Sequence, residues 1–154
     1  MSVLVAGLGQ RDRGDDAIGP EVAAEVASRG LPGVTVIQQS DPLALLDVWD
    51  GAGLADLVIV IDAIRSGEPP GTLQVVDAAG GPLPARTGAS THAFGLAAAV
   101  ELARALGRLP ARLVIVGVEA GQFRLGEPLS PAVRAAVGPA SQAVAQLVRG
   151  RSGE

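Results

Sequence analysis

With one histidine and no cysteine in 154 residues, this chain has a short inventory of side chains able to bind a metal or move a proton. The segment "GQRDRGDDAIG" at 9–19 sets Asp15 and Asp16 just after a glycine-rich turn. Asp62 closes the apolar run "LVIVI" at 57–61, and His92 stands in "STHAFGL" at 90–96. Two carboxylates and one imidazole form a ligand set for a borderline divalent cation such as zinc, nickel or iron, with positions left open for water or substrate. Placed near a helix N-terminus, His92 feels the positive end of the macrodipole, which favours a neutral, ligating ring. Glu119, closing "RLVIVGVE" at 112–119, is a further candidate. Each residue also has a plainer role. Asp15 or Asp16 ahead of a helix is a ready N-cap, Asp62 can cap a turn, and a lone histidine is commonly a surface or hydrogen-bonded residue. Arg11 and Arg13 are most simply solvated loop charges that balance the aspartates. Spacing alone leaves the choice between Asp15 and Asp16 open.

Competing chemistries fail on specific positions. Gly7 and Gly9 give the first half of a G-x-G-x-x-G fingerprint, but the third glycine is Asp12, and no acid stands about twenty residues on at the end of the second strand, Asp41 coming 32 residues after Gly9. No phosphate-binding P-loop occurs. A G-x-S-x-G elbow is missing, as are the D-T-G and D-S-G motifs of aspartic proteases, and one histidine rules out H-E-x-x-H. The lack of cysteine removes disulfides, Cys-ligated zinc, iron–sulfur clusters and thiol nucleophiles. A net charge of -4 and 2% aromatic residues argue against a nucleic-acid surface. The start, "MSVLVAGLGQ", lacks a basic leader region, and no apolar run approaches the roughly twenty residues that span a bilayer. The expectation is a cytoplasmic protein with no membrane partner.

These residues need elements to hold them. Val3 to Ala6 reads as a strand buried on both faces, followed by a helix from Ala17 or Pro20 to Arg29 that Gly30 and Pro32 stop. "VTVIQQ" at 34–39 predicts a second strand, and 42–49 a short helix capped by Asp41. The third strand, 57–61, ends at Asp62. "TLQVV" at 72–76 follows after about ten residues, too few for a parallel crossover, so it should run antiparallel to its predecessor. Thr91 can cap a helix reaching Leu106, and 112–119 is the last core strand. Ser130 and Pro131 open a final helix as N-cap and N1, with a break near Gly138 and Pro139. The alternation predicts one α/β domain over 1–154: three layers, a mostly parallel sheet with one antiparallel strand, and helices on both faces. Ligands collect at the carboxyl ends of such strands, where the 7–16 loop, Asp62, Glu119 and the start of the His92 helix converge.

In order and spacing these residues resemble the hydrogenase maturation proteases, endopeptidases that process the large subunit of nickel–iron hydrogenases. The resemblance runs over nearly the whole chain. It is carried by "VLVAGLGQRDRGDDAIGP" at 3–20, "DLVIVIDAIRSGEPPGTL" at 56–73, "STHAFGL" at 90–96 and "LVIVGVEAGQFRLGEPLSPAV" at 113–133. It implies a twisted five-stranded sheet between helices and metal ligands at Asp16, Asp62 and His92, which would serve catalysis through the metal. It further implies a C-terminal extension as the part removed from the precursor and nickel that arrives with that precursor; separately, a monomer is expected. Zinc or cadmium would serve as surrogates. Asp15 and Glu119 are weaker candidates for a general base. The alternative is a non-catalytic chaperone of the same fold that inspects a metal centre. One departure stands out: Gln10 occupies a position where the family usually has Asn.

Overall fold

Val3–Leu8 (β1) is apolar or glycine at every position and buried throughout. The computed structural model describes residues 2–51, 55–80 and 95–152, and in it this strand lies inside a five-stranded sheet of order β2-β1-β3-β5-β4. The other strands are Val34–Gln39 (β2), Leu57–Ile64 (β3), Leu73–Asp77 (β4) and Leu113–Glu119 (β5). β1 pairs in parallel with β2 and β3, and β3 in parallel with β5. Only β4 runs antiparallel. Its direction is as the short connection predicts, but its partner is β5, at the sheet edge, and not its predecessor β3. The turn after β3 carries the chain past the position that β5 later fills.

The helices are Ile18–Ser28 (α1), Leu45–Gly51 (α2), Leu96–Ala105 (α3), Pro131–Ala135 (α4) and Val137–Ser152 (α5). Strand alternation divides the core between them. Val3, Val5, Leu57, Ile59, Ile61, Val116 and Val118 face Val22 and Val26 of α1 and Val133, Ala140 and Val144 of α4 and α5. Leu4, Ala6, Leu8, Val58, Val60 and Ile115 face Leu45, Leu46 and Trp49 of α2 and Leu96, Val100 and Ala103 of α3. With so few aromatic side chains, aliphatic residues fill both layers, and the small ones let helix and sheet approach closely.

Local signals explain most boundaries. Asp41 accepts a hydrogen bond from Leu43 N–H at 3.0 Å and caps a 3-10 turn, Pro42–Ala44, that leads into α2. Pro139 has no N–H to give the carbonyl of Ala135, and α4 ends at that residue, just ahead of the predicted break. Ser130 holds the N-cap position, yet its side chain makes no cap bond, because it is drawn to Asp15 instead. Asp62 also departs from the sequence reading. β3 continues through Ala63 and Ile64, which pair with Val118 and Glu119, so Asp62 lies within the strand. The His92 and Thr91 expectations fall outside the described residues.

Candidate active site

The loop that carries the acidic pair is set by two close approaches. Gly19, in the first turn of α1, lies against the carbonyl of Leu8 and within 2.7 Å, at a would-be Cβ, of the carbonyl of Ile61. The start of the helix therefore rides over the end of β1 and the Ile61 stretch of β3. Gly9 adopts φ 144, with the carbonyl of Asp16 where a side chain would stand. The chain leaves β1 through this turn and folds back at a 3-10 turn, Gly14–Ala17, whose residues are all buried.

Asp15 and Asp16 are both wholly buried there, and they do different things. One Asp15 oxygen accepts from Ser130 N–H at 2.6 Å. The other accepts from Gly121 N–H at 2.8 Å, Gln122 N–H at 3.1 Å and the Ser130 hydroxyl at 2.7 Å. Asp15 thus fastens the 121–130 loop to the first loop and caps no helix. The backbone adds to the tie, with Asp15 N–H donating to the Gln122 carbonyl and Gly14 N–H to that of Glu127. Asp16 Oδ2 accepts from the Gln10 N–H at 2.8 Å. The amide of the departing residue Gln10 therefore acts through its backbone at this contact, where side-chain length is immaterial.

Asp62 is fully buried as well, and among the described residues neither of its carboxyl oxygens makes a hydrogen bond. An ionised carboxylate in such a place is costly. Burial first, and then the charge of nearby Asp16, push Asp62 well above the usual carboxylate range. The backbone N–H of Ala63 opposes this only in part, short of hydrogen-bond geometry. The fold therefore holds two inward carboxyl groups close enough to repel, with one of them inclined to keep its proton. Among the described residues no three His, Asp or Glu side chains gather as a metal cluster. The third ligand of the sequence reading, His92, lies outside them.

Glu119 ends β5 and is nearly buried. It accepts from Ser66 N–H at 3.1 and 3.0 Å and from the Ser66 hydroxyl at 2.6 Å, and Gln74 donates to that hydroxyl at 3.0 Å. Its carboxylate thereby pins the β3–β4 turn. The acid-binding roles of Ser66 and Ser130 escape a reading of the sequence, which offered Ser130 only as a helix cap, since each serves an acid distant in the chain. A groove of about 490 Å³ opens beside the Asp16 turn, lined by Gly9–Asp12, Pro20 and Gln38–Ser40. Arg11, read from sequence as a solvated charge, is fixed in it by Gln38, whose Oε1 accepts from Nε at 3.0 Å and Nη2 at 2.6 Å.

The profile of the hydrogenase maturation proteases matches residues 30–147. This chain belongs to that family. It is 31% identical over 153 residues to the hydrogenase expression/formation protein HupD of Bradyrhizobium diazoefficiens, covering 95% of this chain and 77% of that one. To the hydrogenase 2 maturation protease of Escherichia coli it is 27% identical, over 97% of this chain and 92% of the relative. Its backbone superposes on the hydrogenase maturating endopeptidase HybD from E. coli with a TM-score of 0.74 at 26% identity, covering 98% and 94% of the two chains. A hydrogenase maturation protease from Thermococcus kodakarensis shares the fold, with a TM-score of 0.75 at 22% identity and 96% and 92% coverage. The activity class of this hydrogenase maturation protease is that of a peptide-bond hydrolase. No helix among its described residues is long and apolar enough to cross a membrane.

Proposed function

We propose that this protein removes the C-terminal extension of a nickel–iron hydrogenase large-subunit precursor once nickel is in place, and that Asp16 and Asp62, with His92, engage the metal that the precursor brings. The observation that carries this reading is the buried Asp16–Asp62 pair at the carboxyl edge of the sheet in a chain of this family. The residues fit a cation: Asp62 offers two oxygens without hydrogen bonds among the described residues, and the Asp16 carboxylate stands near enough to raise its pKa. When bound there, a divalent cation supplies Lewis-acid polarisation of the scissile carbonyl or of a water.

The chain's own residues do the rest. Asp16 is oriented by the Gln10 amide. Asp62, inclined to hold a proton, releases it when positive charge arrives, so binding is favoured as pH rises. Asp15 and Glu119 have their oxygens engaged by the polypeptide. We assign them positioning roles and not that of general base.

Incubation of the protein with nickel-loaded and nickel-free precursor, read by mass spectrometry of the large subunit, tests the reading. Loss of the C-terminal peptide from the loaded form alone is expected. Tight binding without cleavage would favour a metal-inspecting chaperone. Full activity of His92→Ala would remove that residue from the ligand set.

A further inference from the structure

The groove beside Asp16 is built to hold a strand. β2 is an edge of the sheet, and residues of a parallel strand alternate in the side to which their N–H and C=O point. The Gln39 carbonyl accepts from Gly9 N–H at 3.0 Å, so Gln39 faces β1 and the main chain of Gln38 faces the open edge. An extended peptide can add there by main-chain pairing, as peptides add to other sheet edges. The opposite wall of the groove is Gly9–Asp12. Its Gln10 N–H holds Asp16, so a peptide in the groove passes along the turn that carries that buried acid.

Arg11 gives the groove its selectivity. A guanidinium has two edges that can each donate a parallel pair of hydrogen bonds. Gln38 occupies the Nε/Nη2 edge of Arg11, which orients the group and leaves the Nη1/Nη2 edge for a ligand. That ordering is already complete in the free protein, so less conformational entropy is lost on binding. The complement of this edge is a carboxylate.

We propose that the groove between Gly9–Asp12 and Gln38–Ser40 binds an extended segment of the protein substrate flanking the bond that is cut, and that Arg11 pairs with a carboxylate of that segment. This specificity role rests on the protease reading above and adds to it the chemistry of the bound segment: extended and acid-bearing. The Asp12 carboxylate in the same wall disfavours a second acid next to the first.

The test uses nickel-loaded large-subunit precursor, intact and in versions with each acidic residue near the cut changed singly to Lys. Arg11→Glu should raise KM for the intact precursor about tenfold, the loss of a bidentate charge pair, and lower kcat far less. Against one of the Lys versions, Arg11→Glu should outperform the wild type. Gln38→Ala, which frees the guanidinium without removing it, should raise KM about threefold. Circular dichroism checks that the variants fold, as exposed Arg11 and Gln38 lead us to expect. An unchanged KM in Arg11→Glu, or an equal loss on every version of the precursor, would overturn the proposal. Should the wild type bind precursor without cutting it, the protease reading fails alone. Affinities of wild type and Arg11→Glu for the same precursors, measured by fluorescence anisotropy, then decide the groove by the same charge-reversal criterion.

Discussion

Burial raises the pKa of Asp62, and the sign of that shift sets its response to pH. As pH climbs past about 4, an aspartate in the unfolded chain loses its proton while folded Asp62 keeps it. The unfolded state then binds fewer protons, so stability falls with rising pH until the folded pKa is passed. This contribution is complete below about 4 and is lost progressively as pH rises from there through the folded pKa. Asp62→Asn cannot ionise, so in chelator-treated protein its melting temperature relative to wild type should improve between pH 5 and pH 8. A difference that stays constant across that range would show that Asp62 holds no extra proton. Asp15 differs from Asp62 in its surroundings, since its carboxylate accepts four hydrogen bonds. Asp15→Asn should cost about 2–4 kcal/mol in urea unfolding, close to Asp15→Ala, because an amide turns donors toward donors. Asp62 was legible in the sequence as a carboxylate near the end of a buried run, whereas spacing left Asp15 and Asp16 undecided and only the family resemblance favoured Asp16. Asp15 as an inter-loop tie was not legible, since its partners lie 106 to 115 residues away and carry no pattern.

At the level of elements, the seat of α1 decides where Asp16 sits. Gly19 lies inside a helix, where alanine is ordinarily favoured by about 1 kcal/mol. Here the added methyl would meet the main-chain carbonyls of Leu8 and Ile61, rigid parts of two core strands. Overpacking of that kind costs about 1–3 kcal/mol, so the clash outweighs propensity. Gly19→Ala should therefore lower the urea midpoint and reduce cleavage by moving the Asp16 turn, whereas a stabilised variant would contradict the close seat. Strand runs, the Asp41 cap and the break before Pro139 could be read from local chemistry. The neighbour of β4 could not. A short connection fixes direction, but β5, the strand that pairs with β4, begins 36 residues after β4 ends, measured from Asp77 to Leu113.

Taken whole, the molecule buries Asp16 and Asp62 near one another, and on the proposed reading a cation bound there would add to its stability. Nickel, zinc or cadmium should raise the melting temperature of the wild type at pH 8, less at pH 5 where protons compete, and little in Asp62→Asn. A shift of equal size in both proteins would place binding elsewhere. The three-layer architecture was readable because its signals are periodic and additive along the chain, while the site depends on contacts between distant segments. The tie between Asp15 and the 121–130 loop carries a consequence for synthesis. A ribosome releases Asp15 long before Gly121, Gln122 and Ser130, so the emerging chain holds a buried-type acid with no donors to receive it. The acidic turn can complete its hydrogen bonds only after residues 121–130 have been made.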